Sequence, residues 1–157
     1  MLGNFVDDDP EEQVMYQKIL DAAVGVPDLH IITTLTDLVG PFQKHSKVIV
    51  RKSLREGFGL TPTEALWKET PVAAGNVGGL RLQVSNDVDG YLVDSVEECA
   101  EKVDYLLTHE KERVAFGATG RELVRKEFLL PRLLRDKLKL LNGLLNSDSW
   151  KTEEAVE

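Results

Sequence analysis

Cysteine is almost absent from the sequence, since Cys99 is the only one among 157 residues. A single cysteine cannot form an internal disulfide, which excludes the small secreted domains that disulfides hold together and indicates a reducing compartment. Apolar residues recur around Cys99 at helical spacing, so we interpret its thiol as a packing group rather than a reactive one.

Long apolar runs are also missing from the chain. A transmembrane helix needs about 18 or more consecutive apolar residues, and the sequence has no such stretch. Residues 1–5 lack the basic and then apolar order of a signal peptide. These absences predict a cytoplasmic protein with no membrane partner.

Basic residues are outnumbered, because 19 Lys and Arg stand against 27 Asp and Glu and give a formal net charge of −8. Binding to nucleic acid requires a basic stripe that neutralises phosphates, and the sequence has none. We therefore predict no nucleic-acid partner.

The common catalytic and metal-binding patterns do not occur either. His30, His45 and His109 lie far apart, with no serine or cysteine nucleophile pattern, and a Walker-type lysine motif is missing. The consecutive acids at residues 7–9 lack the spacing of a cation-binding loop. We predict neither a metal nor a cofactor.

The sequence does contain an alternation of short β-branched runs with helical patterns. Strands are predicted at residues 2–6, 30–33, 48–50, 71–74 and 91–93. Helices are predicted at residues 11–23, 37–46 with a bend near Gly40 and Pro41, 62–68, and in three segments after residue 95. This alternation predicts an α/β fold, a Rossmann-like parallel sheet flanked by helices, over residues 1–145. The polar, acidic residues 146–157 are predicted to be a disordered tail.

Residues 53–67 are the stretch on which the functional interpretation depends. They follow predicted strand 48–50, so the glycine turn at Gly57 and Gly59 falls at a strand's carboxyl end, where open parallel sheets bind ligands. Glycine lets the backbone approach a ligand closely, and the N–H groups at the start of the following helix suit a phosphate. Two acids, Glu56 and Glu64, bracket the turn.

Both acids also have simpler interpretations. Thr61 fits a helix N-cap and Pro62 the first helical position, in which case Glu64 completes a capping box. Glu56 fits a solvated loop acid beside Arg55. Spacing and composition leave these alternatives open.

A second glycine turn, at Gly78 and Gly79, follows predicted strand 71–74. It is a second candidate for phosphate contact, with an ordinary loop as the alternative. Further along, the composition of residues 86–90 predicts a tight turn in which Gly90 can take a positive φ. Basic residues near the two glycine turns either face phosphate or are simply solvated: Arg51, Lys52 and Arg81.

The order of these features resembles the donor-binding signature of retaining glycosyltransferases of family 4, which have the GT-B architecture. The resemblance is carried by Glu56-Gly-Phe-Gly-Leu-x-x-x-Glu64-Ala, then Pro71-Val72, then Gly78-Gly79. It extends over most of the chain, from about residue 7 to residue 145. Within that family the sequence is most similar to the trehalose synthases, which join a nucleotide-activated glucose to glucose.

The resemblance implies a set of site residues, with nucleotide-diphosphate glucose as the donor substrate and a sugar as the acceptor. The implied residues are Glu56 as the catalytic acid and Gly57, Phe58, Gly59, Leu60, Glu64, Gly78 and Gly79 as the donor-binding group. In such enzymes the acid matching Glu56 lies near the hydroxyls of the transferred sugar, and the acid matching Glu64 holds the ribose hydroxyls. The second glycine turn would contact the diphosphate.

The sequence departs from the family pattern at its start. Family enzymes have two Rossmann-like domains, and an arginine and a lysine at the start of the second domain stabilise the departing diphosphate. By this resemblance we expect the chain to begin after them, and neither is carried over to Arg51 or Lys52. We expect the donor-binding half of the enzyme, without its first strand-helix unit, with an N-terminal acceptor domain as partner. The alternatives are a non-catalytic nucleotide-sugar-binding or assembly module, and a phosphorylase that uses free phosphate.

Overall fold

The structure, a computed structural model, describes residues 2–3, 10–33 and 36–146. The acids at residues 7–9 and the tail from residue 147 onward lie outside these ranges. Contacts between Cα atoms divide the chain into two units, residues 1–45 and residues 46–157. The prediction of a single domain over residues 1–145 stays a prediction.

The first unit contains two parallel strands and two helices. In chain order its elements are β1 (Leu2–Gly3), α1 (Pro10–Ala23), β2 (Ile32–Thr33), a 3₁₀ turn (Thr36–Leu38) and α2 (Val39–His45), with β1 paired to β2. The change from 3₁₀ to α-helix falls at Val39, next to Gly40 and Pro41, near which the sequence predicts a break or bend. Pro41 lies in the first turn of α2, where a missing N–H removes no helical hydrogen bond.

The second unit is built on a parallel sheet of three strands. The strands are β3 (Ile49–Arg51), β4 (Val72–Gly75) and β5 (Gly90–Val93), in the order β3-β4-β5. Ile49 pairs with Val72, and Val72 pairs with Gly90. Since all three strands run in the same direction, the loops that follow β3 and β4 leave the sheet at the same edge.

Five helices belong to residues 46–146, the described part of the second unit. They are α3 (Leu60–Trp67), α4 (Leu80–Gln83), α5 (Val96–Thr108), α6 (Glu110–Glu127) and α7 (Leu130–Asn146). The Ser95 side chain caps α5 by accepting a hydrogen bond from the Glu98 N–H. Judged on the residues that the structure describes, every helix falls short of the length and apolar character that crossing a bilayer requires.

The central strand β4 separates two apolar clusters. Side chains alternate across a strand, so Val72 and Ala74 face one cluster while Ala73 faces the other. The first cluster consists of Ala65, Leu66, Val72, Ala74, Leu80, Val84 and Val124. The second consists of Ala73, Tyr91, Val93, Cys99 and Leu106. Helices therefore cover both faces of the sheet, which confirms the predicted α/β class and the packing role of Cys99.

The turn before β5 differs from the prediction made for Gly90. The positive φ belongs to Asp87, at 61°, and aspartate is one of the few non-glycine residues that adopt it readily. Gly90 is required for a different reason, because an added Cβ atom would overlap the carbonyl oxygen of Val72 on the neighbouring strand. The Asp89 carboxylate accepts a hydrogen bond of 2.8 Å from the Ser85 N–H, and burial raises its pKa.

The C-terminal helix α7 carries many leucines on its surface. Within this helix, all of which lies in the described part of the chain, no side chain is buried. Its exposed leucines are Leu130, Leu133, Leu134, Leu138, Leu140, Leu141, Leu144 and Leu145. The sequence prediction that these leucines need a partner surface stays a prediction.

Replacing Gly143 with alanine should stabilise α7. A Cβ atom added there has open space around it, and alanine is favoured over glycine inside a helix by about 0.5–1 kcal/mol. We expect slower amide exchange in the last turns of α7 and an unchanged pattern in the sheet, measured by hydrogen exchange. Faster exchange in α7 would contradict this expectation.

Candidate functional site

The loop after β3 holds Glu56 in place through specific hydrogen bonds. Arg51 donates to Glu56 Oε2 from Nε at 3.1 Å and from Nη2 at 2.8 Å. The Ser53 hydroxyl donates to the same oxygen at 3.2 Å. The Glu56 side chain is only 16% exposed, whereas that of Arg51 is 47% exposed. Glu56 is therefore an oriented carboxylate and not the freely solvated loop acid of the simpler interpretation.

These partners determine the charge state of Glu56. The hydrogen bond from Arg51 lowers the pKa of Glu56 below its ordinary 4.5, and partial desolvation opposes this effect without cancelling it. The folded-state pKa of Glu56 is lowered, so its ion pair with Arg51 stabilises the fold fully at pH values above the unfolded-state pKa of Glu56. This stabilisation is lost as the pH falls through the lowered folded-state pKa. Glu56 is thus ionised at neutral pH and can accept hydrogen bonds from hydroxyl groups.

Replacing Arg51 with methionine should raise the pKa of Glu56. The substitution removes the main cause of the lowering and keeps an unbranched apolar stem. The measurement is a carboxyl-carbon NMR titration of Glu56 between about pH 2 and pH 7. Arg55→Met, on an exposed arginine next to Glu56 in the chain, is the matched control and should leave the titration unchanged. An equal shift in both variants would show that Arg51 has no particular role.

The helix that follows this loop begins earlier than the sequence predicts. The prediction of Thr61 as N-cap is wrong, because Gly59 is the N-cap and α3 begins at Leu60. Gly59 has φ of 71°, and no side chain caps the helix from that position. Glu64 is then the fifth helical residue, beyond the capping-box position, so the capping interpretation of Glu64 is wrong too. Glu64 is exposed on the first turns of α3.

The two glycine turns pack directly against each other. Gly79 N–H donates to the carbonyl oxygen of Gly57 at 2.7 Å. A Cβ atom at Gly78 would overlap the Glu56 carbonyl oxygen, and one at Gly79 would overlap that of Gly57. Gly78 also has a positive φ of 48°. Glycine is therefore required at both positions of the second turn, because the backbone of the first turn lies against them.

A buried glutamine, Gln83, connects these two turns to α3. Its side-chain carbonyl accepts hydrogen bonds from Thr63 N–H at 3.2 Å and from the Thr63 hydroxyl at 2.5 Å. Its side-chain amide donates to the carbonyl oxygens of Phe58 and, at 3.5 Å, of Gly79. Sequence reasoning missed Gln83, since its partners lie up to 25 positions away and no short motif contains them.

The basic residues near the turns are engaged within the protein. Arg51 binds Glu56, and Arg81 donates to the carbonyl oxygen of Asn76 from Nε at 3.0 Å and from Nη2 at 2.7 Å. Lys52 lies close enough to Cys99 for its charge to act on that thiol, although burial raises the pKa of Cys99. In the conformation described, the two arginines thus hold loop groups of the protein itself.

The arrangement combines features that suit an anionic, hydroxyl-rich ligand. Glycine backbone, an ionised carboxylate and the start of α3 meet where β3 and β4 end, which is where parallel α/β sheets bind ligands. Phe58 is held in the same loop, with its ring 5.8 Å from that of Phe128. Among the described residues, His, Cys, Asp and Glu side chains never gather in threes as metal ligands do. A parallel α/β domain of this kind belongs to the Rossmann-like class.

Comparison with known proteins gives the family. The family model for glycosyl transferases group 1 matches residues 6–123. The trehalose synthase of Rubrobacter xylanophilus is 40% identical over 149 residues, which are 92% of this chain and 36% of that protein. The trehalose synthase of Thermococcus litoralis is 38% identical over 147 residues, 91% of this chain and 36% of that protein. The chain therefore belongs to the group 1 glycosyl transferase family, and it spans 36% of the length of these relatives.

Solved structures agree on the fold. Sucrose-phosphate synthase from Thermosynechococcus elongatus superposes with a TM-score of 0.78 at 23% identity, covering 92% of this chain and 37% of that one. HepE from Anabaena, solved in complex with UDP-glucose, superposes with a TM-score of 0.77 at 14% identity, covering 90% of this chain and 40% of that one. These likenesses confirm the predicted GT-B type of fold. The roles predicted for Glu56, Glu64 and the glycine turns stay predictions.

Proposed function

We propose that this chain is the donor-binding part of a retaining glycosyltransferase that moves glucose from a nucleotide-sugar to an acceptor sugar. The observation that carries the proposal is the backbone contact between the two glycine turns, with the oriented carboxylate of Glu56 at their junction. Similarity to trehalose synthases supports glucose as the acceptor and trehalose as the product.

The donor would be held by backbone and by one further carboxylate. The backbone of Gly57, Phe58, Gly59 and Leu60 would approach the sugar and phosphates, and the turn at Gly78 and Gly79 would contact the diphosphate. At the start of α3, Pro62 has no N–H and the Thr63 N–H donates to Gln83, so the N–H groups of Leu60 and Thr61 would add to phosphate binding. Glu64, exposed on α3, would accept hydrogen bonds from two ribose hydroxyls at once, since an ionised carboxylate is an acceptor only.

Glu56 would act at the transferred sugar. Glycosyl transfer passes through an oxocarbenium-like state in which positive charge develops on the sugar and negative charge on the departing diphosphate. The ionised Glu56 would accept hydrogen bonds from the sugar hydroxyls and hold the ring in place. Donors aimed at the diphosphate would stabilise the charge that builds there. Neither role requires a metal or a cofactor.

The acceptor would bind to a second domain, which is the partner that we propose. The relatives are longer than this chain, which spans 36% of their length, and the remainder would supply the acceptor site. Detectable glucosyl transfer by this chain alone would contradict this part of the proposal.

A second function is favoured by one observation. Arg51 and Arg81, the basic residues beside the glycine turns, bind groups of the protein itself. A module that binds a nucleotide-sugar without transferring the sugar needs no free cation for the departing diphosphate. The alternative is therefore a non-catalytic binding or assembly module. Transfer activity restored by adding an acceptor domain would exclude it.

Calorimetric titration of the folded chain with the glucose derivatives of UDP, ADP and GDP tests the proposal. We expect one of them to bind, and we expect binding to vanish in Glu64→Ala. Circular dichroism of both proteins is the check that each is folded. A folded chain that binds none of the three would contradict the proposed donor site.

A further inference from the structure

We infer that Gln83 is a positioning residue for the donor site, a role that rests on the proposed function. It would hold the loop that contains Glu56, Gly57 and Phe58 in its binding conformation. The inference begins from burial: Gln83 is fully buried although its side chain is polar. Burying an amide costs free energy unless its hydrogen bonds are made inside the protein.

Both ends of the Gln83 side chain are used. The carbonyl end accepts from the N–H and the hydroxyl of Thr63, in the first turn of α3. Because the N-cap Gly59 has no side chain, the acceptor for this turn comes from α4 instead. In the described part of the chain, every buried side-chain nitrogen and oxygen has a hydrogen-bond partner. Gln83 therefore replaces a local cap with a long-range one.

The amide end fixes the glycine loop. Gln83 donates to the carbonyl oxygen of Phe58, in the loop, and more weakly to that of Gly79, in the second turn. The Phe58 ring packs on Phe128, at the end of α6, so this residue is held by its ring and by its backbone. One side chain thus joins the first turn, the second turn and the start of α3.

This geometry has a functional consequence. The donor would be bound by backbone groups of the glycine turns. Glycine has no side chain, so these residues cannot fix their own positions through side-chain contacts. A glycine loop loses much conformational entropy on ordering, and a ligand that must order it binds more weakly. Gln83 orders the loop before the donor arrives. It would act on the sugar and diphosphate part of the donor, whereas Glu64 would act on the nucleoside part.

Two substitutions at Gln83 separate its two ends. Gln83→Met keeps the volume and removes both the donor and the acceptor. Gln83→Glu keeps an acceptor for Thr63. It replaces the N–H donor that faces the Phe58 carbonyl oxygen with a carboxylate oxygen, which cannot donate when ionised. We expect each to weaken binding of the nucleotide-sugar by about tenfold or more, while affinity for the nucleoside alone changes by less than about twofold. Amide exchange at Gly57, Gly59 and Gly79 should become about tenfold faster.

Leu106→Ala is the control for loss of stability. Leu106 is fully buried in the second apolar cluster, on the face of β4 opposite to the cluster that contains Leu80. It should destabilise the fold without changing donor affinity or the exchange of the three glycine amides. Urea unfolding followed by circular dichroism gives the free energy of unfolding of each variant, so that their stabilities can be compared.

The possible outcomes decide the inference. Unchanged affinity and exchange in Gln83→Met would overturn it, whether or not Gln83→Glu folds. Weak donor binding in Gln83→Met together with normal donor binding in Gln83→Glu would also overturn the inference. Only the hydrogen bonds from Thr63 in α3 would then matter, and the hydrogen bond to the Phe58 carbonyl oxygen would not. If the unmodified chain binds no nucleotide-sugar, the proposed function fails, and faster glycine exchange in the variants still supports Gln83 as the residue that orders the loop.

Discussion

Gly78→Ala should remove donor binding and destabilise the second unit by about 3 kcal/mol or more. Two effects add at this position. The new Cβ atom overlaps the carbonyl oxygen of Glu56, and the positive φ of 48° is unfavourable for alanine. The overlapped atom is backbone, which cannot rotate away as a flexible side chain can. Relief requires the two glycine turns to separate.

Urea unfolding and calorimetric titration measure the two consequences of Gly78→Ala. Gly79→Ala is an informative companion, because its φ is ordinary, at −69°, and only the overlap with loop backbone remains, at the Gly57 carbonyl oxygen and the Phe58 Cα atom. Gly143→Ala is the matched control, since the same substitution there meets open space. A Gly78→Ala protein with unchanged stability and donor affinity would show that the two turns do not pack as described.

Glu64→Gln should weaken nucleotide-sugar binding by about tenfold to a hundredfold. Hydrogen bonds to a charged group contribute about 1.5–3 kcal/mol, and each 1.4 kcal/mol is a factor of ten in affinity. Glutamine keeps the size and the helical propensity of glutamate. Because Gly59 and not Thr61 is the N-cap of α3, Glu64 lies outside the capping-box position, and the free energy of unfolding should change by less than about 0.5 kcal/mol.

Glu101→Gln is the control for the Glu64 experiment. Glu101 is an exposed glutamate within α5, outside the proposed site, so it reports the effect of removing one negative charge from a helix surface. Calorimetry with the donor that the unmodified chain binds gives the affinities. Equal affinities for Glu64→Gln and Glu101→Gln would remove Glu64 from the donor site.

The strands of the second unit were predictable because their signal is local. Val48, Ile49 and Val50 are consecutive β-branched residues, and such a run predicts a strand without any knowledge of its neighbours. The run also predicts burial, and that part is wrong, because Val50 is 51% exposed. The three predicted strands of this unit differ from the observed ones by at most one residue at each end. The alternation with helical patterns then predicted the parallel sheet, which needs a crossover between strands.

The start of α3 and the role of Gln83 were not predictable in this way. Thr61 followed by Pro62 is a strong local signal for a helix start, but the positive φ of Gly59 lets the helix begin at Leu60. The acceptor for its first turn comes from Gln83, 20 positions along the chain from Thr63. The ion pair of Arg51 with Glu56 depends likewise on how the loop folds back on β3. Contacts of this kind follow from tertiary structure and leave no periodic pattern.

The central claim, that the two glycine turns form one donor site, is tested most directly by mapping where the donor binds. Amide nitrogen–proton NMR spectra of the chain would be recorded while nucleotide-diphosphate glucose is added. The account predicts that the largest shifts occur at Gly57, Gly59, Gly78 and Gly79, with α7 unaffected. Shifts concentrated elsewhere, for example around Tyr105 on α5 and His109 directly after it, or no shifts at millimolar donor, would contradict it.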